Sequence, residues 1–142
     1  MTLMLTIRYA EPGDKPFWLT LDRHISETEL DRKIRDKMCY VLLEDDIPAG
    51  LLRYNLFWDN TPFCTLLYIA PDHQRRGSGK KLLLHWEDEM KRSGYEWVMV
   101  STQADEDAQH FYRKAGYQDA GALVLNLPQT AQPMELFFVK PL

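Results

Sequence analysis

Seven consecutive residues, Gln74-Arg75-Arg76-Gly77-Ser78-Gly79-Lys80, carry the chemistry most directly readable in this chain. Two glycines one residue apart let a backbone or a ligand approach with no Cβ in the way. A helix beginning at this point aims its unpaired N–H groups and the positive end of its dipole into the turn. The neighbouring guanidinium and ammonium groups add whole charges, and the sum is a seat for phosphate. The stretch lacks the G-x-x-x-x-G-K-[ST] of nucleotide-binding P-loops, and Leu82 stands where a dinucleotide fingerprint needs a third glycine. Spacing alone leaves a tight turn with a solvated basic shoulder as an equal alternative.

That loop must be positioned by a strand before it and a helix after it. Phe63 to Ile69 is a mostly apolar run and reads as the strand, while Leu82, Leu83, Trp86 and Met90 follow at helical spacing until Ser93-Gly94. Upstream, Met4–Tyr9 reads as a strand and Phe17, Trp18 and Leu21 as one helix. A second helix starts behind Ser26, with Ser26 and Glu29 in capping-box spacing. Tyr40–Leu43 and Ala49–Trp58 read as a hairpin across the Glu44–Pro48 turn, and Asp59–Pro62 turns the chain again. Downstream, Trp97–Ser101 is a short strand and Ala104–Ala115 a helix, with Asp105 as its cap and Gly116 as its left-handed stop. Gly121–Leu127 and Glu135–Val139 are final strands around a Pro128–Pro133 loop. The order β-α-α-β-β-β-α-β-α-β-β describes one α/β or α+β domain over residues 1–142.

Gln-x-x-Gly-x-Gly after a strand ending Ile69-Ala70-Pro71 resembles the acetyl-CoA loop of the GCN5-related N-acetyltransferase (GNAT) superfamily. A second stretch, Asp105 to Tyr117, resembles that family's Asn-x-x-Ala-x-x-Phe-Tyr-x-x-x-Gly-Phe. The resemblance implies a mixed, mostly antiparallel sheet splayed between its fourth and fifth strands and flanked by helices. Acetyl-CoA is then the cosubstrate, with its diphosphate on Gln74, Arg75, Arg76, Gly77, Ser78, Gly79 and Lys80. Its pantetheine would pair with the free edge Tyr68-Ile69-Ala70, facing Val100-Ser101-Thr102, with contacts from Phe111 and Asp105. Asp105 departs from the family's Asn, and an ionised Asp accepts a hydrogen bond but cannot donate one. Tyr112 is the implied general acid for the departing thiolate, a phenol protonated at neutral pH with an ordinary pKa near ~10.

The implied activity is transfer of an acetyl group to a primary amine, on a small molecule or a protein, by direct attack in a ternary complex. The alternative is a CoA-binding regulatory module of the same fold. The strand before the glycine loop lacks the carboxylate that often serves as base, so Glu44, Asp59, Asp72, His110 and a chain of waters stay open. Phe17, Trp18, Tyr54, Phe57, Trp58 and Phe137 are either an aromatic floor for the acceptor or core. Asp22, Glu44, Asp45, Asp46 and Asp59 would favour a cationic amine if they ring the mouth.

Bulk properties bound these readings. A formal net charge of −4 argues against general nucleic-acid binding. No basic-then-apolar leader or long apolar span points to export or a membrane, so a cytoplasmic protein is expected. Cys39 and Cys64 sit in apolar runs and read as buried free thiols, and the four histidines show no metal-ligand spacing, so no metal is expected. The last strands leave an apolar edge that invites homodimer formation.

Overall fold

Turn chemistry organises the first half of the sheet. In the computed structural model, which describes residues 2–142, β1 (Leu5–Tyr9), β2 (Cys39–Glu44), β3 (Ile47–Phe57) and β4 (Thr61–Ile69) form an antiparallel meander. The β2–β3 turn places Asp45 and Asp46 at φ 48° and 68°, and Asp59 reaches 62° in the β3–β4 turn. Short polar side chains that bond locally tolerate this left-handed region better than most. The chain then crosses through α3 (Ser78–Arg92) to β5 (Trp97–Gln103). After α4 (Ala108–Lys114) come β6 (Gln118–Leu123), a small hairpin of β7 (Asn126–Leu127) and β8 (Thr130–Ala131), and β9 (Glu135–Pro141). The sheet order is β1-β2-β3-β4-β5-β9-β6, so the last strand inserts between β5 and β6. The segment read as a plain loop, Pro128–Pro133, contains β8.

Two apolar layers hold the sheet. On one face α3 and α4 bury Leu82, Leu83, Trp86 and Tyr112 against Leu52, Val98 and Phe138. On the other, α1 (Lys15–Leu21) and α2 (Glu27–Arg35) bury Trp18 and Leu30 against Val41 and Leu51. Each fully buried large side chain contributes about 1.5–3 kcal/mol of transfer free energy, so these layers dominate stability. Both cysteines are free and buried, and burial pushes each thiol up to about 12. Among the described residues no helix is long and apolar enough to cross a membrane.

Two capping expectations change. Ser26 Oγ accepts the Glu29 N–H at 3.1 Å, but the Glu29 carboxylate turns outward to Arg32, so the box is half made. The helix expected from Ala104 begins at Ala108, behind Asp107 rather than Asp105. The intervening turn closes its own polar groups: Gln103 N–H donates to Glu106 Oε1 at 3.2 Å, and Gln109 Nε2 donates to Ala104 O at 2.9 Å. Asp105 stands in this turn, two residues before the cap position, and its side chain makes no cap bond to α4.

Candidate active site

β4 and β5 are parallel neighbours joined only at Phe63↔Met99 and Cys64↔Val100. Beyond these two pairs the strands part: among the described residues, Thr65 to Ile69 have no strand partner on the β5 side, while Leu66 to Ile69 remain paired to β3 past a register shift at Thr65. Backbone groups on a parted edge need partners from elsewhere, and an extended ligand carrying amides can supply them. Pro71, lacking an N–H, ends the strand in a short 3-10 turn, Pro71–His73.

The glycine loop sits at the head of this gap. Gly77, at φ 82°, is the left-handed residue that turns the chain into α3, and Arg75 is also left-handed at φ 65°. Lys81 N–H is bonded to Gly77 O at 3.1 Å. The amides of Ser78, Gly79 and Lys80 belong to the first turn and have no intrahelical acceptor. A Cβ on Gly79 would lie 3.6 Å from Ile69 Cγ1 and 4.0 Å from Phe111 Cζ. Gly79 therefore forms part of the wall of a cavity of about 400 Å³ bounded by Gln74, Arg75, Lys80 and Phe111. Bare amides, a helix terminus and a wall without a side chain fit a diphosphate, and Arg75 and Lys80 remain available to it.

Three loop side chains have other partners. Gln74 Nε2 donates to Ile69 O at 2.8 Å, which closes the last carbonyl of β4. Arg76 Nη1 donates to Glu44 Oε1 at 3.0 Å, and Ser78 Oγ–H donates to Glu44 Oε2 at 2.6 Å. His73 Nδ1 lies 2.6 Å from the same carboxylate. Burial pushes the Glu44 carboxyl up, but Ser78, His73 and Arg76 together hold it below its ordinary value. The base candidate Glu44 is thus the anchor beneath the loop. Its contribution to loop order is present above the ordinary carboxylate pKa and is lost as pH falls through the lowered one. Glu44→Ala should weaken coenzyme A binding about tenfold, roughly 1.4 kcal/mol. Hydrogen exchange at residues 73–79 should rise in step, and unchanged exchange there would remove Glu44 from this role.

Further along the gap, Tyr68, Ile69, Arg75, Gly79, Phe111 and Tyr112 line a cavity of about 470 Å³. It adjoins a second cavity of about 360 Å³, whose wall shares Leu67, Tyr68, Glu106, Ala108 and Tyr112. Tyr112 is 6% exposed, its ring packed on Phe111, Tyr117 and Phe138. Burial first, then the charges of Cys64, Glu106 and Glu135, raises its phenol well above the usual value. It therefore stays protonated across the physiological range.

The second cavity departs most from expectation. None of the six aromatics named as a floor lines it: Trp18 and Tyr54 are core, Phe17 packs against the layer around Trp18, and Phe57, Trp58 and Phe137 cluster around Phe63. Nor do the named acids ring it. Asp22 is buried, accepting Arg53 Nε at 2.7 Å and Trp18 Nε1 at 3.0 Å. It also accepts the His24 N–H at 3.1 Å, and so ties the α1–α2 loop to the sheet. Asp45, Asp46 and Asp59 occupy the hairpin turns. Asp59, Asp72 and His110 are exposed and lie off the cavity wall, as does Asp105. The wall is formed instead by Leu21, His24, Thr65, Ser101, Gln103, Glu106 and Glu135. Sequence reasoning missed His24, Glu106 and Glu135. Glu106 lay inside the second motif at an unconstrained position, and Glu135 heads a strand whose neighbours depend on sheet order.

Comparison with known proteins agrees with this geometry. The sequence model of the Acetyltransferase (GNAT) family matches residues 5–117. No curated protein sequence matches the chain. Among solved structures, the ribosomal-protein-S18-alanine N-acetyltransferase from Escherichia coli superposes with a TM-score of 0.82 at 22% identity, over 97% of this chain and 94% of that one. Arabidopsis thaliana Naa50, in complex with the bisubstrate analogue CoA-Ac-MVNAL, gives 0.79 at 14% identity over 96% and 97%. N-acetylglutamate synthase from Neisseria gonorrhoeae, complexed with coenzyme A and N-acetyl-glutamate, gives 0.79 at 19% identity, over 99% of this chain and 36% of that one. At these identities the superpositions establish a shared fold.

Proposed function

Because the chain belongs to the GNAT acetyltransferase family, we propose that it is an acetyl-CoA-dependent N-acetyltransferase acting on a primary amine by direct attack in a ternary complex. One observation supports this above the others: a single gap between parted strands runs from the amide-lined loop, past Tyr112, to a second cavity. The solved structures of the same fold include enzymes named for a protein alanine and for glutamate, so both protein and small-molecule amines are acceptors to test.

In this reading the amides from Arg75 to Lys80, with the side chains of Arg75 and Lys80, hold the diphosphate. The free edge Tyr68-Ile69-Ala70 pairs the pantetheine, and Phe111 walls it. The acceptor enters by the second cavity. Tyr112 gives its phenolic proton to the sulfur as the carbon–sulfur bond breaks, and holding both reactants in one gap supplies the proximity term. The protein works as one domain, and β6, which ends the sheet with every residue exposed, supports pairing with a second copy.

The test combines calorimetry with coenzyme A and a thiol-release assay with acetyl-CoA over a panel of amines. Expected are binding heat and thiol release that an amine accelerates, with the acetylated amine seen by mass. Binding without acceleration by any amine would replace the enzyme with a coenzyme A-binding regulatory module.

A further inference from the structure

We infer that Glu135 is the group that takes the proton from the acceptor's ammonium, a role that rests on the acetyltransferase reading above. Glu135 opens β9 and pairs in register with Gln103, the last residue of β5, so sheet order places it across from the parted end of β4. Its carboxylate is fixed from both sides: Ser101 Oγ–H donates to Oε2 at 2.7 Å, and Gln132 Nε2 donates to Oε1 at 3.2 Å. Among the described residues, no lysine or arginine lines this cavity and no salt bridge reaches Glu135. The other ionisable groups on the wall are Glu106 from the turn after β5, Tyr112 from α4, Tyr68 from β4 and His24 from the α1–α2 loop. The carboxylates therefore favour a positively charged amine and disfavour an acceptor that brings its own carboxylate beside the nitrogen.

The proton account closes on these residues. The ammonium nitrogen carries three protons. One passes to Glu135 and on to solvent, leaving a neutral amine whose lone pair forms the carbon–nitrogen bond. As the carbon–sulfur bond breaks, Tyr112 protonates the sulfur, and the second nitrogen proton restores the phenol. The third remains on the product amide. The net products are the amide, the free thiol and one proton.

Glu135→Gln keeps the size of the side chain and a carbonyl oxygen to accept from Ser101, but it cannot take the proton. Rates would be measured with acetyl-CoA and three probes: alanyl-alanine amide, 1,4-diaminobutane and glutamate. With the better of the two cationic probes, kcat/KM at pH 7 should fall about 10²–10³-fold. The loss should shrink about tenfold per pH unit towards the amine's own pKa, roughly 8 for an α-amine and 10 for an alkyl amine. A merely structural role would not recover with pH. Coenzyme A heat should match the unsubstituted protein, which also verifies folding, and Glu135→Asp should restore part of the rate. A Glu135→Gln enzyme with undiminished rate, or with a loss that is flat in pH, overturns the role of Glu135 while leaving the acetyltransferase reading intact. Preference for glutamate over both cations overturns it too. An unsubstituted protein that gives no heat with coenzyme A is a different result, the failure of the acetyltransferase reading itself.

Discussion

Gly79→Asp should abolish most coenzyme A binding while leaving the protein as stable as before, or slightly more so. The position lies in the first turn of α3, where a carboxylate interacts favourably with the helix dipole by about 0.3–1 kcal/mol. A Cβ there meets only Ile69 Cγ1 at 3.6 Å and Phe111 Cζ at 4.0 Å, which is ordinary contact. Gly in a helix interior is also the poorest ordinary residue, so replacing it does not weaken the helix. The new carboxylate, however, points into the cavity assigned to the diphosphate. Two like charges about 4 Å apart repel by roughly 4 kcal/mol at an effective dielectric constant near 20. Even half of that figure, after solvent screening, is more than tenfold in affinity, and lost volume adds to it. We expect a loss of about 10²–10³-fold by calorimetry, with a melting temperature equal to or above the original. Affinity within threefold of the starting protein would remove the diphosphate from this loop. The design separates binding from folding because the same charge has opposite effects on the two.

Tyr112→Phe should reduce kcat by about 10²–10⁴-fold, the usual range for a proton-transfer group, with coenzyme A affinity unchanged. The ring is held by Phe111, Tyr117 and Phe138 at centroid distances of 5.4, 5.6 and 6.1 Å, and phenylalanine preserves those contacts. Only the hydroxyl is removed. Because burial and the nearby acidic groups raise the phenol well above its usual value, the neutral form persists through pH 10. The native rate should therefore show no alkaline fall attributable to this residue below that pH. A variant with native kcat, or one whose loss appears entirely in KM, would move the proton donor elsewhere. Both outcomes are read from steady-state kinetics together with one binding titration.

The two substitutions probe features that were legible to different degrees. Glycine spacing and a strand-to-helix transition are local, so the loop from Gln74 to Lys80 could be placed from the chain order alone. The same holds for the sequence of elements, since a two-residue alternation and a 3.6-residue repeat are carried within each segment. Tyr112 is named only through the resemblance of Asp105–Tyr117 to a family motif, of which Ala108–Lys114 form α4. The start of that helix could not, since Ala104 to Asp107 has helix-compatible composition and the turn is chosen by the Glu106 and Gln109 side chains. Side-chain availability was equally hidden. Arg76 reads as a phosphate ligand until Glu44, 32 residues earlier, is seen to hold it.

What the sequence determined by itself is the glycine loop and the secondary structure that presents it, because both arise from interactions between near neighbours in the chain. Tertiary structure alone decided which carboxylates meet the gap. Inserting β9 beside β5 brings Glu135 to the wall, while Glu44 and Asp22 are drawn into ion pairs that fasten loops. A carboxylate's role depends on whether a cation reaches it, and that is set by sheet order and by the parting of β4 from β5. Neither property is encoded within any one segment.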